Sequence, residues 1–220
     1  MTSLLDDAVE FAANPEPRCA CVLLLDVSGS MSGAPIAALN EGLRAFAADV
    51  STDALARQRV EVAMVTFGQA GVQTRQDFVT AGQFEPPTLT AGGGTPMGEA
   101  VIRALDMVED RKARYRTAGV AYYRPWVFLV TDGAPTDSWS EAQRRVHEAE
   151  ERSSLAFFAV GVRGADMDVL SRLAVRQPLQ LDGLKFVELF VWLSRSQRSV
   201  SASRPGEQTA LPAVEGWATV

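Results

Sequence analysis

Four strongly apolar segments, separated by segments with helical periodicity, constrain the fold of this chain more than any other feature. They are CACVLLL (19–25), VEVAMVTF (60–67), WVFLVT (126–131) and LAFFAVGV (155–162). A continuously apolar strand is typical of a sheet that is covered on both faces, as parallel sheets are. Strands that alternate with helices also favour a parallel sheet, because parallel strands need a crossover connection.

The remaining segments predict helices and an edge strand. We expect helices at about Pro35–Val50, Thr95–Arg111, Ser140–Arg152, Asp166–Val175 and Phe186–Arg198. The polar segment Val72–Phe78 follows the second strand after a short turn, which predicts an antiparallel edge strand. With a short strand near Leu179–Leu181, the sequence predicts a doubly wound α/β fold. Its sheet is mostly parallel and six-stranded, with one antiparallel edge strand and helices on both faces.

Length and composition place the chain among globular proteins. Its 220 residues suit one domain, and 47% hydrophobic with 22% charged residues exclude a disordered chain. No apolar run reaches the roughly 18 residues that a membrane-spanning helix needs. The net charge of −6 argues against general nucleic-acid binding. We expect an N-terminal extension at 1–16, the domain at 17–200 and a C-terminal tail at 201–220.

The first residues and the cysteines bear on location. The start, MTSLLDDAVE, carries acidic residues where a secretory signal would carry Lys or Arg, so we expect a cytoplasmic protein. Cys19 and Cys21 lie two residues apart on a predicted strand, share one face and are poorly placed to bond each other. We expect both to be reduced core residues.

Oxygen-bearing side chains follow three of the predicted elements. Asp26, Ser28 and Ser30 come after the first strand. Thr95 comes after a glycine-rich loop, and Asp132 comes after the strand WVFLVT. Ligands of open α/β sheets bind beyond the carboxyl ends of the strands, so we expect the five side chains to meet there. Hydroxyl and carboxylate oxygens suit Mg²⁺, which takes six oxygens and keeps several waters. The sequence therefore predicts a magnesium site, with Mn²⁺ as the alternative ion.

The segments DVSGS, GGTPMGEA and LVTDGAPTD resemble the von Willebrand factor A (vWA) domain and its metal-ion-dependent adhesion site. The pattern of that site is D-x-S-x-S, a distant Thr and a distant Asp. The resemblance covers roughly residues 17–200 and implies a Rossmann-like vWA fold. It implies that Ser28, Ser30 and Thr95 coordinate the metal directly, while Asp26 and Asp132 hold it through water. One metal position then stays open for a carboxylate of a partner protein.

The loop GGTPMGEA and the tail SVSASRPGEQTALP are similar to the TerY-like group of bacterial tellurium-resistance and stress proteins. That similarity implies a partner within a stress-response assembly that includes kinase and phosphatase components. The chain would then be a non-enzymatic module that captures an Asp or Glu of a protein partner through Mg²⁺. Neither nucleic acid nor a membrane is an expected partner.

A metal-dependent hydrolase or phosphatase, which would use the same ion as a Lewis acid, is the alternative function. Asp137 is the nearby loop residue that could serve it as general base. His147, the only histidine, lies in a charged predicted helix away from these loops. The GGGT loop lacks the Gly-Lys-Ser/Thr ending of a phosphate loop. A third hypothesis is a structural subunit with a vestigial metal site.

Two surfaces each have two interpretations. The basic stretch Arg111–Arg124 is either a patch for nucleic acid or an acidic partner, or a solvated helix end and loop. Another group either forms a partner-binding rim around the metal or packs beneath the loops. Its members are Met31, Met97, Trp139 and Arg163.

The tail also has open interpretations. It is poor in large apolar residues until Leu211, and is either disordered, docked on the domain or engaged with another chain. The residues that could dock it are Leu211, Val214, Trp217 and Val220. Docking on the parent domain is the favoured hypothesis.

Overall fold

The fold is built on one seven-stranded sheet, seen in a computed structural model that describes residues 10–214 and 216–219. The strands are β1 (Cys19–Val27), β2 (Val60–Gly68), β3 (Gly71–Thr80), β4 (Trp126–Thr131), β5 (Ala156–Gly161), β6 (Leu179–Leu181) and β7 (Ala218–Thr219). The helices are α1 (Ala34–Val50), α2 (Ala56–Arg59), α3 (Met97–Ala118), α4 (Ser140–Glu151), α5 (Met167–Leu173) and α6 (Phe186–Ala202). Two short 3₁₀ helices lie at Gly29–Met31 and Ala81–Gln83.

The strand order, β3-β2-β1-β4-β5-β6-β7, confirms the predicted doubly wound α/β fold. Strand β1 pairs in parallel with β2 on one side and with β4 on the other, so the strand order reverses between β1 and β4. Strand β3 is the predicted antiparallel edge. The sheet has one strand more than the six predicted, because Ala218–Thr219 of the tail pairs antiparallel with β6.

Each face of the sheet carries its own apolar layer. Along β1 the side chains alternate, so that Cys19 and Cys21 join the layer of α1 and α6 while Ala20 and Val22 join the layer of α3, α4 and α5. Both cysteines are free and buried, as expected. Burial raises the pKa of the Cys19 thiol to about 12, with a further contribution from Glu61.

Helix α3 is longer than predicted. It continues past Arg111 to Ala118 and ends at Gly119, whose left-handed φ of 68° closes the last turn. Arg111 is 2% exposed and Lys112 7% exposed. Both interpretations of the basic stretch are therefore wrong for its first two cations, Arg111 and Lys112, which are buried and paired.

The buried partner of Arg111 lies at the amino edge of the sheet. Glu61, at the start of β2, accepts hydrogen bonds from Arg111 Nε at 2.8 Å and Arg111 Nη2 at 2.7 Å. Arg18 Nε lies 2.8 Å from Glu61 Oε1, and the Tyr115 hydroxyl also donates to Glu61. Glu10 pairs with the outer side of Arg111. This group is named the amino-edge cluster and consists of Glu10, Arg18, Glu61, Arg111 and Tyr115.

The described part of the tail packs on the domain. The Trp217 side chain is buried, with its ring centroid 5.3 Å from that of Trp192, and Trp192 Nε1 donates to Pro212 O at 2.8 Å. Leu211 and Val214 are partly buried against the same layer, which supports docking. Val220 and residues 1–9 lie outside the described residues. The division into extension, domain and tail stays a prediction.

No helix in the described ranges combines the length and the apolar character that crossing a membrane requires.

Candidate metal centre

The predicted site residues lie at the carboxyl edge of the sheet, beside the reversal of strand order. Asp26 is near the end of β1, and Ser28 and Ser30 lie in the turn that leads to α1. Thr95 precedes α3, and Asp132 directly follows β4. This edge is where open α/β sheets bind their ligands.

Three of the five side chains are in direct contact. Ser28 Oγ and Ser30 Oγ are 3.0 Å apart. Ser30 Oγ donates to Asp132 Oδ1 at 2.6 Å, although the two residues are 102 positions apart in the chain. The hydroxyls of the first loop and the carboxylate of the third therefore face one another.

Asp26 and Thr95 both lie beside Gly133, the residue that follows Asp132. An added Cβ at Gly133 would lie 3.3 Å from Thr95 Oγ1 and 3.9 Å from Asp26 Oδ2. Both oxygens thus lie beside the residue that follows Asp132. The structure brings all five predicted residues to one edge and one small region.

Glycines hold the loop before Thr95 against the turn after β1. The Gly92 amide donates to Val27 O at 2.8 Å, and the Gly29 amide donates to Gly93 O at 2.9 Å. Gly93 has a φ of 76°, and a side chain on it would meet the Cα of Gln69 at 2.3 Å. Because only glycine fits there, the sequence GGGT places the Thr95 hydroxyl.

Two threonines that the sequence analysis missed support the site. Thr131 Oγ1 donates to Asp26 Oδ2 at 2.5 Å. The Thr95 amide donates to Thr136 Oγ1 at 3.0 Å, and the Thr136 amide donates back to Thr95 O at 2.9 Å. The segment TDGAPT around Asp132 contains both threonines, so their nearness to a predicted ligand was the available signal.

Asp137, the predicted base of the hydrolase alternative, has a structural role. Its Oδ1 accepts from the Gly98 amide at 3.0 Å and its Oδ2 from the Glu99 amide at 2.8 Å. These are the free amides of the first turn of α3, so the carboxylate caps that helix. Both carboxylate oxygens therefore accept hydrogen bonds from the start of α3, which gives Asp137 a structural role in place of a role as base.

The electrostatics of the site leave its carboxylates without a cation. Within the described ranges, neither Asp26 nor Asp132 forms an ion pair with Lys or Arg. Burial raises the pKa of Asp26, hydrogen bonds from Ser28 and Thr131 lower it, and the charge of Asp132 raises it, with a net rise. Three hydroxyls and two uncompensated carboxylates form a donor set that suits a hard divalent cation.

The donor set is not a cluster of acidic residues. The described part of the chain contains no group of three or more His, Cys, Asp or Glu side chains placed to hold a metal. The candidate centre is hydroxyl-rich instead, as the sequence pattern predicts.

The four residues of the predicted rim lie in different environments. Met31 and Met97 are fully buried in the two apolar layers, so the rim interpretation is wrong for both. Trp139 is partly buried, with the Arg172 guanidinium 5.4 Å from its ring centroid. Arg163 alone of the four is exposed.

The sequence profile of VWA, the von Willebrand factor type A domain, matches residues 21–180. The chain belongs to this family. The matched range of the vWA domain begins within β1, ends within β6 and contains all five candidate ligands. No curated protein is similar enough to the full chain to count as a match.

Solved structures share the vWA fold at low identity. The pilus adhesin SpaC from Lactobacillus rhamnosus GG, in its open conformation, is 17% identical with a TM-score of 0.62 over 86% of this chain and 31% of SpaC. Manganese-loaded TRAP from Plasmodium vivax is 19% identical with a TM-score of 0.56 over 79% and 73% of the two chains.

A third structure, proximal thread matrix protein 1 from the mussel byssus with a zinc-occupied MIDAS motif, is 14% identical with a TM-score of 0.55. The match covers 84% of this chain and 49% of the mussel protein. This chain thus spans about half of that protein and less than a third of SpaC. Two of these three similar folds hold a divalent metal.

Proposed function

We propose that this vWA domain is a divalent-metal-dependent protein-interaction module that binds an Asp or Glu of a partner protein. The observation that carries the proposal is the convergence of three hydroxyls and two carboxylates, where neither carboxylate forms an ion pair with Lys or Arg within the described residues. The residues that would hold the ion are Asp26, Ser28, Ser30, Thr95 and Asp132. The three hydroxyls would bind it directly, and the two carboxylates through water.

The donor chemistry explains why a partner carboxylate would bind. Neutral hydroxyls leave most of the charge of a divalent ion uncompensated, and carboxylates that act through water offset it only at a distance. A carboxylate from a partner then gains a strong and directed bond. We propose Mg²⁺ as the ion, with Mn²⁺ as the alternative. The manganese and zinc in two similar folds support a divalent cation.

We further propose that the partner belongs to a bacterial tellurium-resistance or stress assembly in the cytoplasm, with kinase and phosphatase components. The similarity of GGTPMGEA and of the tail to TerY-like proteins supports this. Two free, buried cysteines also fit a reducing compartment.

We propose that the domain acts as an interaction module and not as an enzyme. The capping of α3 by Asp137 supports this, because the hydrolase alternative needs that carboxylate as its base. A generic phosphatase assay checks the point. Metal-dependent turnover that is lost in Asp132→Asn would favour the hydrolase instead.

Metal calorimetry on variants of the site tests the proposal. We expect wild type to bind Mg²⁺ and Mn²⁺, and Asp26→Ala and Thr95→Ala to bind at least roughly tenfold more weakly. Thr117→Ala is the matched control, because Thr117 is an exposed threonine of α3 that lies away from the site. Circular dichroism checks that each variant is folded. Equal metal affinity in all four proteins would overturn the proposal.

A pull-down from the native host then tests the dependence of partner binding on the metal. We expect EDTA to release the partner and added Mg²⁺ to restore it. A partner that stays bound in EDTA and binds Asp26→Ala equally well would favour the structural subunit with a vestigial site.

A further inference from the structure

Arg163 lies beside the candidate metal centre, in the loop between β5 and α5. The Val162 amide donates to Thr131 O at 2.8 Å, which ties this loop to the end of β4. Gly164 has a φ of 103°, and an added Cβ there would lie 3.2 Å from Asp132 O. The loop therefore passes directly against Asp132, while the neighbouring Arg163 side chain is exposed.

The other charged side chains of the loops at this edge have internal partners. These loops include 26–33, 91–96, 132–139, 162–166 and 182–185. Asp132 accepts from Ser30, and Asp166 accepts from the Val169 amide at 3.0 Å to cap α5. Lys185 Nζ lies 2.5 Å from Asp182 Oδ2. Asp26 and Asp137 accept the hydrogen bonds described above.

Arg163 differs from all of these. Among residues 10–214 and 216–219 it has neither a hydrogen bond nor an ion pair in the structure. It is thus the charged side chain of these loops that remains free to bind a group from outside. A guanidinium offers a planar fork of donors that matches a carboxylate in a bidentate manner.

We propose that Arg163 is a specificity-determining residue that binds a second carboxylate of the partner whose first carboxylate binds the metal. The partner recognised here is then a protein segment with two acidic side chains close together, not a single Asp or Glu. This inference rests on the proposed function. The net charge of −6 gives such a cation a further role, since the domain as a whole repels acidic partners.

Short peptides on the Mn²⁺-loaded protein test the inference by calorimetry. The probes are acetylated, amidated peptides with two Asp separated by one, two or three Gly, and their counterparts in which the second Asp is Asn. For wild type, we expect the best two-Asp peptide to bind about fivefold more tightly than its one-Asp counterpart. Added salt should reduce this gain, because the contact is exposed.

Variants of Arg163 separate its role from that of the metal. In Arg163→Ala we expect the gain to fall to the statistical factor of about two, while Mn²⁺ affinity and one-Asp affinity change no more than they do in the net-charge control Arg44→Ala. Arg163→Lys should keep part of the gain as a point charge. Arg44→Ala is the matched control for net charge, since Arg44 is exposed on α1, about 15 Å along the helix from this edge.

The outcomes distinguish the two proposals. If one-Asp peptides bind only when the metal is present but a second Asp adds nothing, or adds equally in Arg163→Ala, the inference about Arg163 is wrong and the proposed function stands. If no peptide binds the metal-loaded protein, both are wrong.

Discussion

The two edges of the sheet each bury a carboxylate, but they compensate its charge differently. At the amino edge, Glu61 is fully buried between Arg18 and Arg111 and also accepts from Tyr115. At the carboxyl edge, Asp26 is equally buried, yet its donors are the Ser28 amide and the Thr131 hydroxyl. One carboxylate is matched by protein cations and the other is not.

This difference distinguishes a structural carboxylate from one that is available to a ligand. A buried carboxylate that is paired with arginine has its charge compensated within the protein, and removing either partner leaves an uncompensated charge. A buried carboxylate that has only neutral hydrogen-bond donors is not compensated by a positive charge, so an added cation can compensate it. The pKa shifts agree, because burial raises the pKa of Asp26, whereas Glu61 raises that of Arg111 despite the opposing effect of burial.

The largest effect on stability is expected from a substitution that breaks the amino-edge cluster. Glu61→Gln keeps the shape of the side chain but leaves Arg18 and Arg111 buried without a full counter-charge. We expect a loss of about 3–5 kcal/mol in the free energy of unfolding. That corresponds to a fall in Tm of roughly 10 °C for a chain of this size. Urea and thermal denaturation followed by circular dichroism measure both.

Glu10→Gln is the matched control for Glu61→Gln. Glu10 also pairs with Arg111, but its side chain is 35% exposed, so we expect a loss of at most about 1 kcal/mol. A similar loss in the two variants would show that burial does not distinguish these carboxylates, which would contradict the comparison of the two edges.

The parallel sheet and the candidate site could be predicted from the sequence because their signals are local. The apolar strands are continuous runs, and the five candidate ligands come directly after strands or a glycine-rich loop. The carboxyl ends of parallel strands lie at one edge of a sheet, so the positions of Ser30 and Asp132 in the chain predict that they meet.

The amino-edge cluster and β7 could not be predicted in the same way, because they depend on tertiary packing. The sequence predicts that Arg111 lies at an exposed helix end, and only the contact with Glu61 in the folded structure shows that it is buried. The available signals were Glu61 within the apolar segment VEVAMVTF, and Gly119 as the first residue able to end α3. The pairing of Ala218 with Leu181 depends on Trp217 packing against Trp192.

An intermediate effect is expected at the carboxyl edge. Asp26→Asn removes a buried charge that pairs with no Lys or Arg of the described residues, so in EDTA its Tm should equal or exceed that of wild type. With Mg²⁺ at about ten times the wild-type Kd, wild type should gain roughly 1.4 kcal/mol, or about 3–6 °C in Tm, and the variant nothing. Differential scanning fluorimetry measures both conditions.

The control for Asp26→Asn is Asp110→Asn, which removes an exposed carboxylate of α3. It should respond to Mg²⁺ as wild type does. If Asp26→Asn loses several kcal/mol in EDTA, as Glu61→Gln is expected to, then Asp26 is a structural carboxylate and the two edges are alike.

The smallest effect on stability is expected from removing a neutral hydroxyl donor, that of Tyr115 at the amino edge or that of Thr131 at the carboxyl edge. Burial and then Glu61 raise the pKa of Tyr115 well above its ordinary value near 10. Above pH 10 the unfolded chain loses this proton while the folded protein keeps it, so stability falls as pH rises. Tyr115→Phe should remove up to about 1.4 kcal/mol per pH unit from that fall.

Thr131→Val also removes a hydroxyl donor to a buried carboxylate, but threonine does not titrate. We therefore expect Thr131→Val to lower stability at pH 8 and keep the wild-type slope in urea denaturation between pH 9.5 and 11. Parallel slopes for wild type and Tyr115→Phe would show that Tyr115 ionises in the folded protein, and that its contact with Glu61 is weaker than its burial implies.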